Sequence, residues 1–176
     1  MDGATLGQLV DRYAGALSLY ARQWCASPDD VVQEAFIKLG GMSSPPPTVG
    51  AWLFHFVRQR AISAGRSDRR RKRHEQRAAL AGPGAGWFEH DPSASLDADA
   101  AVTALARLAS DEREIIVAHL WGGLTFAEIG ALMKSSAATA HRRYASGIEA
   151  LRRALEDNWQ MNETKPPAPS RGDSPG

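Results

Sequence analysis

Apolar residues recur at intervals of three and four along most of the chain, the pattern of helices that bury one face. The first such stretch runs from Leu6 to Trp24, and others follow up to Leu155. The strict alternation of apolar and polar residues that marks a half-buried strand is nearly absent. The sequence therefore predicts an all-α fold.

Local signals place the ends of the next two helices. Ser27 is a good N-cap for a second helix, with Pro28 in its first turn, and Gly40–Gly41 ends that helix. Thr48 can cap a third helix after a loop of serines and prolines. This third helix continues into a run of arginines, although Gly65 lies inside it and weakens the helix prediction locally.

Two breaks in the helical pattern divide the chain. Residues 81–98 are rich in glycine, proline, alanine and acids, which is typical of a linker. Residues 159–176 lack periodicity, and we expect them to form a disordered tail. The sequence thus predicts two small helical domains, at residues 1–80 and 99–158, joined by a flexible acidic linker.

The second predicted domain ends in two helices separated by a tight polar turn. Thr125 and Glu128 have the spacing of a capping box, and Ser136 can cap the second helix after a break at Lys134–Ser135. The first half of this helix carries the polar side chains Thr139, His141, Arg142, Arg143 and Ser146. A helix in the major groove of DNA uses its N-terminal residues for base edges and phosphates. We interpret the pair as a helix-turn-helix; the alternative is a helical hairpin with a solvated basic face.

Charge is segregated along the chain, although the net charge is only +1. Residues 66–77 carry seven Lys and Arg side chains, whereas residues 89–114 carry seven acids and only two arginines. A basic block of this kind suits a polyanion such as nucleic acid. A solvated helix end is the alternative, and the block alone does not decide between the two.

The residues that mark several other function classes are missing. The five histidines have no metal-ligand spacing with one another or with Cys25, the single cysteine, so we expect no metal site, cofactor or disulfide. The sequence has neither a Ser/His/Asp signature nor a glycine loop on a strand-helix unit, the patterns that would indicate catalysis. The N-terminus lacks the order of a secretory signal, and no apolar run is long enough for membrane insertion. We expect a cytoplasmic protein that is not an enzyme.

Five short segments carry a family pattern in a fixed order. They are SPDDVVQEAFIKL at 27–39, WLFHFVRQRAI at 52–62, DEREIIV at 111–117, GLTFAEIG at 123–130 and ATAHRR at 138–143. In this order they resemble the extracytoplasmic-function (ECF) group of bacterial RNA polymerase sigma factors. The likeness extends from Leu6 to Leu155. It implies a sigma factor that binds core RNA polymerase and directs promoter-specific initiation of transcription.

The resemblance also assigns roles to three surfaces. The second helix would grip a coiled coil of the polymerase's largest subunit with Asp29, Asp30, Gln33, Glu34 and Phe36. The third helix would hold the melted proximal promoter element with Arg58, Gln59, Arg60, Arg66, Arg69, Arg70, Arg71, Lys72 and Arg73. The polar side chains of the recognition helix would read the distal promoter element. An anti-sigma factor is implied as a further partner.

A few positions depart from the family pattern. Gln59 stands where asparagine is usual, and Ser63 stands where aspartate is usual. Lys134–Ser135 replaces a glycine-aliphatic turn, and Ala140 replaces a larger aliphatic residue. These changes predict a weaker or divergent promoter specificity on the same fold.

Two rival functions remain open at this point. A helix-turn-helix regulator would bind DNA without engaging polymerase. An interaction module on the same fold would hold a partner without opening DNA. Binding to core polymerase tests the first alternative, and run-off transcription tests the second.

Overall fold

The computed structural model describes residues 2–78 and 103–163, and within them it contains helices and no strand. The all-α fold that the apolar spacing predicts is therefore confirmed. The predicted linker at 81–98 and residues 164–176 of the predicted tail lie outside the described residues. No helix in the described part is long and apolar enough to cross a membrane.

The N-terminal half consists of α1 (Gly3–Ala21), α2 (Pro28–Gly40) and α3 (Val49–Ala78). Asp2 caps α1, because its carboxylate accepts a hydrogen bond of 2.7 Å from the amide of Thr5. This bond lowers the pKa of Asp2. Ser27 occupies the N-cap position of α2 as predicted, although its hydroxyl makes no capping hydrogen bond. Acids in the first turn of α2 interact favourably with the positive end of the helix dipole.

The C-terminal half consists of α4 (Ser110–Ile116), α5 (Phe126–Leu132) and α6 (Ala137–Glu163), after helical residues 103–107. Ser110 has the residue type that favours an N-cap, but the N-cap of α4 is Ala109 and Ser110 is the first helical residue. Arg113 ties residues 103–107 to α4, since its guanidinium donates to the carbonyl of Leu105 at 2.7 Å. α6 continues past the predicted domain end at 158, because no glycine or proline interrupts the chain there before Pro166.

α4 continues into a π-helical turn, Val117–Trp121, which places two large apolar side chains at the surface. Leu120 is 51% exposed and Trp121 is 47% exposed. The α-helical spacing predicts both on the buried side, and that prediction is wrong. A π-helical turn has wider spacing than an α-helix, so residues within it rotate away from the expected face.

The two halves share one apolar core. Leu17, Tyr20 and Phe54 of the N-terminal half are fully buried, as are Ile115 and Ile129 of the C-terminal half. All five belong to one continuous cluster. Burying a large apolar side chain stabilises a fold by about 1.5–3 kcal/mol. The shared core therefore holds the halves against each other.

α3 passes very close to the chain segment that follows α1. A Cβ atom at position 65 would lie 1.9 Å from the carbonyl oxygen of Trp24. Only glycine can occupy this position without moving the backbone of one segment or the other. Gly65, a weak point in the helix pattern, is thus the residue that permits the crossing.

Gly65→Ala is expected to lower the free energy of unfolding by about 1–3 kcal/mol, as overpacked sites do. Alanine is the better helix former, but the added methyl group would meet a backbone carbonyl that cannot rotate away. Gly7→Ala in α1 is the matched control, because nothing lies within 4 Å of its Cβ position. The control should gain about 0.5–1 kcal/mol. Urea unfolding followed by circular dichroism measures the free energy of unfolding of both variants. An equal gain in stability for Gly65→Ala and Gly7→Ala would contradict the close crossing.

Candidate nucleic-acid interface and partner surface

α5 and α6 form a helix-turn-helix that begins with the predicted capping box. The Glu128 carboxylate accepts from the amide of Thr125 at 2.8 Å, and the Thr125 hydroxyl accepts from the amide of Glu128 at 3.3 Å. Ser136 caps α6, since its hydroxyl accepts from the amide of Thr139 at 3.1 Å. These caps satisfy amides that have no partner within the helix, so they fix where each helix begins.

The turn between the two helices depends on Lys134, whose φ is 54°. This left-handed region favours glycine because a Cβ atom crowds the following carbonyl there. The amide of Ser135 donates to the carbonyl of Gly130 at 2.8 Å and closes the turn. The departure from a glycine turn therefore leaves the path of the backbone intact but strains one residue.

Lys134→Gly is expected to raise the free energy of unfolding by roughly 0.5–1 kcal/mol, because it removes the left-handed strain at some cost in unfolded-chain entropy. Lys134→Ala is the matched control, since it removes the charge and keeps the Cβ atom. Thermal unfolding of the full chain compares the two. An alanine variant as stable as the glycine variant would show that the lysine charge, not the backbone, limits stability.

One face at the start of α6 is open to solvent. His141 and Arg142 are exposed on it, and both belong to the predicted distal-promoter set. Ala138 and Ala145 are exposed beside them. Their small side chains would let the helix approach a groove closely. Ala145 was not among the predicted contacts, although its position three residues after Arg142 puts it on the same face of the helix.

Two of the other predicted side chains of α6 bond to α4. Arg143 pairs with Asp111 at 2.9 Å, and the Ser146 hydroxyl donates to Glu112 at 2.7 Å. The hydroxyl oxygens of Thr139 and the N-cap residue Ser136 lie 2.9 Å apart and form a hydrogen bond. The Arg143 pair is exposed, and exposed pairs stabilise by only about 0–1 kcal/mol, so a phosphate can compete for this guanidinium.

An aromatic cluster fixes the helix-turn-helix to the π-helical turn. The ring of His119 stacks on Phe126 with centroids 4.4 Å apart and meets the edge of Tyr144 at 4.9 Å. A nitrogen of the same ring lies 2.8 Å from the carbonyl oxygen of Leu124. His119 is thus a packing residue. Among the described residues, no group of histidines, cysteines and acids is arranged to hold a metal ion.

The basic residues predicted to form one surface of α3 lie on different sides of the helix. Gln59, Arg66 and Arg70 are exposed and share one side with His55, because they follow one another at intervals of four, seven and four. We call these four residues the α3 stripe. It presents two guanidinium groups, an amide and an imidazole along one line, which suits a strand of nucleic acid.

The remaining basic residues of α3 lie elsewhere. Arg60 and Arg71 pair with carboxylates at 2.5 and 3.0 Å, on the side away from the stripe. Arg69 donates to a backbone carbonyl one turn earlier at 3.1 Å. The side chains of Lys72 and Arg73 lie outside the described part of the structure.

The predicted polymerase-binding residues occupy two sides of α2. Asp30 and Gln33 are exposed, and Asp29 accepts a hydrogen bond of 2.7 Å from a serine of α1. Glu34 lies on the other side and pairs with Arg60. The acids are therefore at the surface, but two of them have partners within the chain.

An apolar groove of about 780 Å³ lies between α1 and α2. Phe36, predicted beside the acids, is only 7% exposed and lines this groove. Ile37 projects at its edge and is 68% exposed. A contiguous apolar patch at a protein surface marks an interaction site. Ile37, outside the buried stripe of α2, is a candidate contact that the polar pattern missed.

A buried carboxylate joins the two halves of the protein. Glu114 is 3% exposed and accepts hydrogen bonds of 2.6 Å from the Tyr20 hydroxyl and 2.6 Å from Nε of Arg58. Burial, with the charge of Glu114, raises the pKa of Tyr20 well above its usual value, so the phenol stays protonated. Burial alone would lower the pKa of Arg58, but the hydrogen bond and charge of Glu114 outweigh it and raise it. Arg58, predicted to contact DNA, is partly buried and paired with Glu114.

The family model for ECF sigma factors matches residues 31–160, which include most of α2, all of α3 and the helix-turn-helix. The chain belongs to the ECF sigma factor family. It is accordingly a DNA-binding protein of transcription initiation. In the part of this ECF sigma factor that the structure describes, the exposed face of α6 and the α3 stripe both carry exposed basic and polar side chains.

Solved structures give the same architecture. This ECF sigma factor is similar to the sigma factor RpoE of Bartonella quintana in complex with the anti-sigma factor NepR, with a TM-score of 0.61 and 23% identity over 85% of this chain and 96% of that one. It is also similar to CnrH in complex with the cytosolic domain of CnrY, with a TM-score of 0.55 and 23% identity over 89% and 90%. At these identities the likeness concerns the fold. A search of curated proteins found no match.

Proposed function

We propose that this ECF sigma factor binds core RNA polymerase and directs it to specific promoters, with no chemical step of its own. The observation that carries the proposal is the exposed start of α6, where His141 and Arg142 stand between two alanines. A recognition helix reads base edges in the major groove from such a position, and arginine is suited to guanine. This face would read the distal promoter element.

The α3 stripe would hold the melted proximal element. Single-stranded nucleic acid binds along grooves of positive charge, and guanidinium groups contact both phosphates and base faces. Arg66 and Arg70 supply charge, and Gln59 supplies an amide for base edges. Glutamine reaches farther than the asparagine usual at this position, which supports a divergent sequence preference.

α2 would contact the polymerase. Asp30 and Gln33 are exposed there beside the apolar groove, and Ile37 adds a hydrophobic contact. A basic helical partner would meet acids, an amide and an isoleucine within three turns of one helix. Such a combination of an apolar centre and a charged rim is typical of protein interfaces.

An anti-sigma factor would regulate the chain. The similar RpoE structure is that of a sigma factor in complex with the anti-sigma factor NepR, which supports this partner class. A protein that works on polymerase and promoter DNA would act in the cytoplasm.

The test is binding of the full chain to purified core RNA polymerase from the same bacterium. We expect a stable one-to-one complex by size-exclusion chromatography. A chain that binds promoter fragments but forms no complex with core polymerase would instead be a helix-turn-helix regulator.

A further inference from the structure

Two acids in the first turn of α4 bond to the recognition helix α6. Asp111 pairs with Arg143 at 2.9 Å, and Glu112 accepts a hydrogen bond of 2.7 Å from the Ser146 hydroxyl. The bonded residues are 32 and 34 positions apart in the chain, so these contacts depend on how the two helices pack. Each acid engages one side chain of the set predicted to read the distal promoter element.

Apolar packing fixes α4 against this side of α6. Ile116 of α4 is fully buried, and Tyr144 and Ile148 of α6 pack against the cluster around it. The helices also approach closely at Gly147, where a Cβ atom would lie 3.0 Å from the Cβ atom of Glu112. Asp111 is therefore held beside Arg143 by the fold of the C-terminal half, not by a chance contact of two long side chains.

The two neighbouring arginines of α6 have different surroundings. Successive residues of an α-helix are about 100° apart, so Arg142 and Arg143 point to different sides. Arg142 is exposed on the open face, whereas Arg143 is turned towards Asp111. Arg142 thus meets a duplex that docks on the open face directly, and Arg143 meets it only after its ion pair is broken.

Asp111 opposes phosphate binding at this edge of the helix in two ways. It occupies the guanidinium of Arg143, and its negative charge repels a phosphate that comes near. Binding to unrelated DNA consists almost entirely of contacts between basic side chains and phosphates. Binding to a promoter adds contacts with base edges, which Asp111 does not obstruct on the open face.

We propose that Asp111 is a specificity-determining residue that withholds Arg143 from phosphates and so weakens binding to unrelated DNA more than binding to the promoter. This role rests on the promoter-reading function proposed above for α6. On the promoter, the base contacts of Arg142 fix how α6 lies in the groove. On unrelated DNA the protein is free to slide, so α6 settles where its basic side chains reach the most phosphates.

The experiment measures the affinity of the full chain for two labelled duplexes. One duplex carries the distal promoter element, and the other has the same bases in scrambled order. Fluorescence anisotropy gives the affinity over a series of salt concentrations, because the slope of log affinity against log salt reports the number of phosphate contacts. Polymerase is left out, so that its own contacts with DNA do not contribute.

Asp111→Asn should raise the affinity for the scrambled duplex about three- to tenfold and steepen its salt slope by about one, because Arg143 gains a phosphate contact. The affinity for the promoter duplex should rise by less than about twofold, so the ratio of the two affinities falls. Asp111→Asn combined with Arg143→Ala has the net charge of wild type and should return the scrambled affinity and the slope to wild-type values.

Asp11→Asn is the matched control, since it makes the same change of charge at an exposed position of α1 and should alter neither affinity nor slope. Circular dichroism checks the fold of each variant. The Asp111–Arg143 pair is half-exposed, so its loss should leave the fold intact. Asp111→Ser, which also removes the charge, carries the test if the asparagine variant loses helical content.

An unchanged salt slope on the scrambled duplex would overturn the role of Asp111, and so would an equal gain in affinity on the two duplexes. A loss of affinity in Asp111→Asn would overturn it as well, since Asp111 would then position Arg143 for DNA. A gain that persists in the double variant would exclude Arg143 as the withheld group. A wild-type chain without preference for the promoter duplex would instead contradict the function proposed for α6, while the scrambled duplex would still test Asp111.

Discussion

Asp30→Arg combined with Glu34→Arg is expected to lower the affinity of the chain for core polymerase at least 100-fold. Both acids lie on α2, and a basic helical partner would meet two positive charges in their place. Like charges placed against each other in an interface cost several kcal/mol, and a 100-fold loss corresponds to about 2.7 kcal/mol. The fold should survive, because Asp30 is exposed and the Glu34–Arg60 pair is half-exposed.

The matched control is Asp11→Arg combined with Glu156→Arg, which changes the net charge by the same amount at exposed positions away from α2. Titration of labelled chain with core polymerase, followed by fluorescence anisotropy, compares the two double variants. Equal affinities would contradict the assignment of α2 as the polymerase surface. A loss in both would indicate a general effect of charge.

Arg142→Ala is expected to weaken binding of the polymerase complex to its promoter about tenfold or more. A bidentate arginine contact with guanine is worth roughly 1–3 kcal/mol of discrimination. Arg143→Ala should have a smaller effect, because Asp111 already competes for that guanidinium at 2.9 Å. The loss at Arg142 should be specific to sequence, so binding to unrelated DNA should change much less.

Arg152→Ala serves as the control for Arg142→Ala, since it removes an exposed arginine from the same helix well beyond the recognition face. Electrophoretic mobility shifts with a promoter fragment and with a scrambled fragment, at one fixed salt concentration, separate the specific from the general loss. Equal losses on the two fragments for Arg142→Ala would place that arginine on phosphates only.

Local sequence signals predicted much of the fold. The capping box at Thr125 and the cap at Ser136 are both present, because they depend on residues three positions apart in one helix. The break at Gly40–Gly41 and the long third helix also follow from residues close in sequence. Where the pattern failed, at Leu120 and Trp121, a π-helical turn changed the spacing on which the prediction depended.

The arrangement of the candidate sites needed tertiary structure. Glu114 sits in an acidic stretch next to Asp111 and Glu112, which both face α6, and nothing in the sequence marks it as the buried acid. Its partners lie far away along the chain at Tyr20 and Arg58. A list of arginines likewise could not separate the exposed α3 stripe from those that pair inside the protein. Pairing depends on which helix packs against each side.

Run-off transcription on fragments of the bacterium's own DNA tests the sigma assignment most directly. Core polymerase is supplied alone or with the full chain, and the 5′ ends of the transcripts are sequenced. We expect the chain to add a small set of start sites that share upstream sequence, and Arg142→Ala to reduce that set. Identical start sites with and without the chain, under conditions where it binds core polymerase, would contradict the account.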